Sequence, residues 1–167
     1  MLEYFPEADS GVLSPWSTKI YPAVYNGSHP YTDAFGRLML AISEFTFTCH
    51  AFWTTLYLGS QIGKDAYSYL FSVPPGIHTL DVCYTYFVNH TSLLTNETMA
   101  EYLQGYITSF AQDGDPNKVN LPAFPAYGTS FVDLNINQTF INTTIDPAAT
   151  SRCDWWKTAL LTGYHSS

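Results

Sequence analysis

The sequence predicts an α/β layer fold, in which strands and helices alternate along one chain. Three observations carry this. Apolar residues recur at helical spacing from Asp33 and again after Thr98. Between them AYSYLFSV (66–73) reads as a β run that Pro74-Pro75-Gly76 ends. Two short strands, FVDL (131–134) and TFINTTI (139–145), then precede a last helical stretch.

Residues 1–32 are rich in Pro, Gly and Ser and read as an irregular approach. From Asp33, Phe35, Leu38, Met39, Ile42 and Phe45 form one helical stripe. A second aromatic segment runs from Cys49 to Leu58, with Phe52, Trp53 and Leu56, and Gly59 ends it. Thr98 and Glu101 have the spacing of a capping box, which satisfies open N–H groups at a helix start. Met99, Leu103, Tyr106, Ile107 and Phe110 follow on one face, and Gly114 and Pro116 stop the helix. Asp146-Pro147 opens the last helix, with Pro suited to its first turn. Its stripe is Ala149, Cys153, Trp156 and Leu160, closed by Gly163. No repeat or linker divides the chain.

The 167 residues are 46% hydrophobic and 17% aromatic. Only 12% are charged, against about 25% in an ordinary domain. That composition excludes disorder. A net charge of −8 leaves no basic face for a nucleic-acid partner. Thirteen Tyr and 11 Phe with so few charges suggest a chain built to pack against further structure. No apolar run reaches the length of a transmembrane helix.

The opening MLEYFPEADSGVLSP lacks the basic end and apolar run of a signal peptide. Yet five N-glycosylation sequons begin at Asn26, Asn89, Asn96, Asn137 and Asn142. The expectation is a secreted glycoprotein whose leader precedes Met1. The three cysteines, Cys49, Cys83 and Cys153, imply either one bridge and a free thiol, or a partner elsewhere. Cys83, in the apolar run VCYTYF, reads as a buried thiol. Without CxxC or a His pair at ligand spacing, no metal is expected.

His78 is the strongest candidate for chemistry. It follows a predicted strand after a stiff Pro-Pro-Gly bend, and open α/β sheets carry their sites at the carboxyl ends of strands. An imidazole there can serve as a general base; a surface or structural histidine is the competing reading. Asp81 could hydrogen-bond the loop and fix it. His29, His90 and His165 stand in polar contexts, and His50 lies beside Cys49 in an aromatic segment. GSQIGKD (59–65) imitates a phosphate loop but has one residue too few between its glycines. Phe52, Trp53 and Tyr57 suit a pocket wall less well than a core. Neither a G-x-S-x-G elbow nor a glycine-rich oxyanion loop occurs in the chain.

Five segments together resemble one family. They are SEFTFTC (43–49), YLFSVPPGIHTLDVCYTYF (69–87), MAEYLQGYITSFAQDGDPN (99–117), FPAYG (124–128) and RCDWW (152–156). In this order they resemble the C-terminal part of the type-B carboxylesterases, the group of cholinesterases and fungal lipases, and the fungal members most closely. The resemblance runs from about residue 20 to the last helix. It implies that residues 1–167 are the C-terminal portion of an α/β-hydrolase domain, with an incomplete sheet and packing helices. It makes His78 the triad histidine and Cys49–Cys153 a disulfide. The serine, the acid and the oxyanion glycines would lie upstream of Met1.

The implied activity is hydrolysis of a small-molecule or lipid ester, with no cofactor, and the chain alone is expected to be inactive. Three positions depart from the family pattern: Thr79 stands where Gly usually follows the histidine, Glu44 where Asp is usual, and His50 where Pro is usual. The alternatives from other classes are a catalytically dead, esterase-like binding module and a free-standing aromatic-rich glycoprotein domain.

Overall fold

The computed structural model describes residues 14–60, 65–88, 94–117 and 120–162. The chain divides into two compact units, one comprising Met1–Thr54 with Pro147–Ser167 and the other Thr55–Asp146.

In the first unit a helical turn spans Trp16–Ile20, where the Pro/Gly/Ser content predicted irregular chain. Helix α1 (Ala34–Ser43) begins where expected, because the Asp33 carboxylate accepts from the Gly36 N–H at 2.7 Å. A π-helical turn (Glu44–Thr48) then leads directly into α2 (Cys49–Ser60). The two apolar segments are therefore one continuous helical run. The stripe on α1 is largely solvent-facing: Phe35 is 72% exposed, and Leu38 and Met39 are also exposed. The buried hydrophobic residues of the unit are instead Trp16, Tyr21, Tyr31, Ala41, Cys49, Phe52, Ala148, Cys153 and Trp156.

Helix α5 (Ser151–Thr162) starts later than the Asp146-Pro147 signal suggested. Asp146 is already committed elsewhere: its N–H donates to the Phe131 carbonyl at 2.8 Å and its carboxylate accepts from the Tyr127 hydroxyl at 2.7 Å. Gly163, the expected end of that helix, lies outside the described residues.

Two bonds join SEFTFTC to RCDWW. Cys49 and Cys153 form a disulfide across 104 residues. Beside it the buried Glu44 carboxylate takes Arg152 through both Nε and Nη2, the latter at 2.7 Å. The Tyr21 hydroxyl also donates to Glu44 and accepts from the Trp156 indole at 2.7 Å. The Glu44 carboxylate thus serves two side chains, Arg152 and Tyr21. Burial, together with the Glu44 carboxylate, pushes the Tyr21 phenol above its ordinary pKa.

The second unit holds a three-stranded sheet in the order β1-β2-β3. β1 (Tyr69–Phe71) runs parallel to β2 (Val132–Ile136), with Tyr69 opposite Leu134. β3 (Ile141–Ile145) returns antiparallel, with Asn135 opposite Asn142. The predicted strand at 66–73 contracts to three residues. Pro74 has no N–H for a ladder, and Ala66 bonds outside the sheet, its carbonyl accepting from the Tyr127 N–H at 2.8 Å.

Between the parallel strands come α3 (Val82–Thr85) and α4 (Glu97–Asp113), the connection a parallel pair needs. The cap of α4 is Asn96, whose Oδ1 accepts from the Met99 N–H at 3.4 Å, so the Thr98/Glu101 capping box is not formed. Gly114 ends the helix at φ +73° as a left-handed cap. Leu103, Tyr106, Phe124, Leu134, Ile136, Val73 and Tyr84 form the core between helix and sheet. Asn117 joins two more family segments by exchanging bonds with the Phe124 N–H (2.8 Å) and carbonyl (3.1 Å).

Candidate active site

β1 points its carboxyl end into the segment Ser72–Asp81, which carries His78. The loop is shaped locally by two reversals. The Gly76 N–H donates to the Val73 carbonyl at 2.8 Å, with Gly76 at φ +66°. The Leu80 N–H then donates to the Ile77 carbonyl at 3.2 Å, so His78 and Thr79 are the central pair of a four-residue turn. Thr79 adopts φ +74°, the left-handed region that normally calls for glycine. The turn leaves the His78 side chain exposed.

Both ends of this loop are fastened. At its root, the Ser72 N–H donates to the Ile136 carbonyl at 2.9 Å. The Asn137 side-chain amide donates to the Ser72 carbonyl and hydroxyl, each at 3.1 Å. At its exit, the Asp81 carboxylate accepts from the Tyr69 hydroxyl at 3.1 Å. Since Tyr69 lies on β1, this bond ties the end of the loop to the strand that precedes it. Burial, and then the Asp81 charge and hydrogen bond, push the Tyr69 phenol up to about 12. It therefore remains a donor across the neutral range.

Helix α3 begins directly after Asp81 and sinks Tyr84 into the core, with its ring 5.0 Å from that of Phe71. The Tyr84 hydroxyl pairs with the Thr95 hydroxyl at 2.7 Å, and Gln104 of α4 donates to the Tyr84 and Phe87 carbonyls. Cys83 is a free thiol, half-buried against this core rather than fully buried.

The remaining candidates are dispersed. His29 stacks on Tyr31 at 5.4 Å, and His50 meets Trp53 edge-on at 5.2 Å. Phe52 is buried, while Tyr57 is exposed. His90, His165, the Asn89 sequon and residues 61–64 of the GSQIGKD segment lie outside the described residues. Among the described residues no cluster of three or more His, Cys, Asp or Glu could hold a metal. An open groove of about 330 Å³ lies along α3 and α4, and His78 is not part of its lining. Tyr69 and Asn137 are the residues that sequence reasoning missed. The first read only as strand and the second only as a sequon, yet each fastens the loop.

No family model matches the sequence. Carboxylesterase patB of Aspergillus clavatus is 30% identical over 151 residues, which cover 89% of this chain and 26% of that protein. Carboxylesterase patB of Penicillium expansum is 29% identical over 153 residues, 90% of this chain and 26% of that protein. The chain thus spans about a quarter of the length of these curated relatives. Among solved structures, Aspergillus niger EstA superposes with a TM-score of 0.78 at 18% identity, covering 96% of this chain and 34% of that one. Geobacillus stearothermophilus carboxylesterase EST55 gives 0.63 at 19% identity, covering 93% and 38%. Sequence relatives and fold agree: the chain is similar to a portion of the fungal carboxylesterases and has part of an α/β-hydrolase fold.

Proposed function

We propose that this chain is the C-terminal part of a secreted type-B carboxylesterase and contributes the catalytic histidine, His78, to hydrolysis of a small-molecule or lipid ester. The observation that carries the reading is the seating of His78. It is exposed at the carboxyl end of a strand in the parallel part of the sheet, on a loop fastened at root and exit.

In this reading the nucleophilic serine, the triad acid and the oxyanion glycines come from the rest of the carboxylesterase. His78 takes the serine proton as the serine oxygen attacks the ester carbonyl. It then gives that proton to the departing alcohol, and a water activated by the same imidazole releases the acid from the acyl-enzyme. Asp81 is a positioning residue: it acts on the loop through Tyr69. The rest of the hydrolase also accounts for the exposed aromatics Phe35, Phe47, Tyr57 and Tyr86, which it would cover.

The test is labelling with a serine-directed fluorophosphonate. The complete carboxylesterase should label stoichiometrically and the 167-residue chain not at all. Stoichiometric labelling of the chain would show that it carries its own nucleophile.

A further inference from the structure

The five sequons are alike as motifs, but the four within the described residues differ in what their side-chain nitrogen does. N-linked transfer makes a bond from Asn Nδ2 to the anomeric carbon of a lipid-diphosphate-linked oligosaccharide. The carbon–oxygen bond to the diphosphate breaks, one Nδ2 proton is lost, and the lipid diphosphate leaves. The folded product must then tolerate a pyranose ring on that nitrogen, which makes the nitrogen's surroundings decisive.

Asn137 is half-buried, and its Nδ2 donates to both the carbonyl and the hydroxyl of Ser72 at 3.1 Å. Asn96 is also half-buried. Its Nδ2 donates to the Gln138 carbonyl at 2.9 Å, while its Oδ1 caps α4. Together they tie the helix start, the β2–β3 turn and the root of the His78 loop. A sugar on the Asn137 nitrogen would displace at least one of its two acceptors, and one on the half-buried Asn96 nitrogen would crowd its bond to the Gln138 carbonyl.

Asn26 and Asn142 are built differently. Both are exposed. Asn26 uses only Oδ1, accepting from the Ser28 N–H (3.1 Å) and hydroxyl (2.7 Å), beside Gly27 at φ +87°. Asn142, on the edge strand β3, likewise uses only Oδ1, accepting from the Asn135 amide at 3.0 Å. Neither Nδ2 is engaged among the described residues.

We propose that Asn26 and Asn142 are the glycan-bearing sequons of the described structure, and that Asn96 and Asn137 stay unmodified in the folded protein because their amide nitrogens fasten it. The inference rests on the secretory reading. Its test therefore supplies a leader, so that site occupancy is read whatever the natural address of the protein. The complete protein is secreted from a yeast host and purified from the medium. It is then treated with an N-glycosidase in ¹⁸O water, and the peptides are mapped by mass.

The expected result is ¹⁸O-labelled Asp at positions 26 and 142 and unlabelled Asn at 96 and 137. The variant Asn142→Gln should lose one glycan's step in gel mobility, and Asn137→Gln should lose none. Label at 96 or 137 in the secreted pool, or bare Asn at 26 or 142, overturns the proposal. Secretion under the natural leader is scored separately, and its failure bears only on the secretory reading.

Discussion

The Tyr69 hydroxyl donates to the Asp81 carboxylate at 3.1 Å, and this bond closes the loop that carries His78. A strand residue thereby holds the exit of the segment that its own strand delivers. A hydrogen bond to a charged group contributes about 1.5–3 kcal/mol. Here it restricts a ten-residue excursion (Ser72–Asp81) whose root is already held by Asn137.

Tyr69→Phe in the complete carboxylesterase should therefore lower kcat about tenfold or more with little change in KM, because the histidine is less often in place. The phenol, pushed up to about 12, has a folded pKa above its ordinary value. Its contribution to stability is thus full below pH 10 and lost as pH rises through about 12. Kinetics and alkaline unfolding of both proteins check this. Equal kcat values would remove the bond from any positioning role.

Thr79→Gly should relieve the left-handed strain at φ +74°. The relief is about 1–2 kcal/mol, offset by roughly 0.5–1 kcal/mol of added freedom in the unfolded chain. A small net gain in thermal midpoint is expected, while Thr79→Ala, which keeps a Cβ, should give none. Equal midpoints for all three proteins would mean that the turn tolerates threonine without strain.

How far the sequence showed this arrangement depends on the range of the contacts involved. The place of His78 on a loop after a strand was legible because Pro-Pro-Gly after a β run is a local signal. The Tyr69–Asp81 and Asn137–Ser72 bonds were not legible. They depend on which strand lies beside which, and on a loop folding back 12 and 65 residues respectively. The α4 cap was misread for a different reason. Asn96 competes with Thr98 for the same role, and the chain's path through the Gln138 contact decides between them. Likewise the stripe on α1 was visible as periodicity, but periodicity does not say which side faces solvent.

Asp133 provides a pH dependence. It is buried on the central strand with Oδ1 unpartnered. Burial pushes its carboxyl up to about 6; the Ser68 hydroxyl bond opposes the rise and the Asp146 charge adds to it. The folded pKa thus exceeds the ordinary 3.8, so this group's contribution is full below that value and lost as pH rises through about 6. Asp133→Asn should be more stable than the parent at about pH 7, with the difference shrinking toward about pH 4. Urea midpoints across that range read it, and a pH-independent difference would contradict the shift.

In the first unit, Glu44→Gln leaves the half-buried Arg152 guanidinium without its buried charge partner. Breaking one side of a buried pair costs about 3–5 kcal/mol. Removing the disulfide by Cys49→Ala with Cys153→Ala should cost on a similar scale, about 4–5 kcal/mol for a loop of this length in the chain-entropy model. Chemical denaturation of each variant measures both. Losses under about 1 kcal/mol would show that these links do not hold the two segments together.

The most direct test of the account is turnover of a simple ester by the complete carboxylesterase carrying His78→Ala, with its thermal midpoint measured alongside. The account predicts a fall in kcat of about 10⁴-fold or more in a protein that still unfolds cooperatively. Turnover within tenfold of the parent would contradict it and take His78 out of the catalytic machinery.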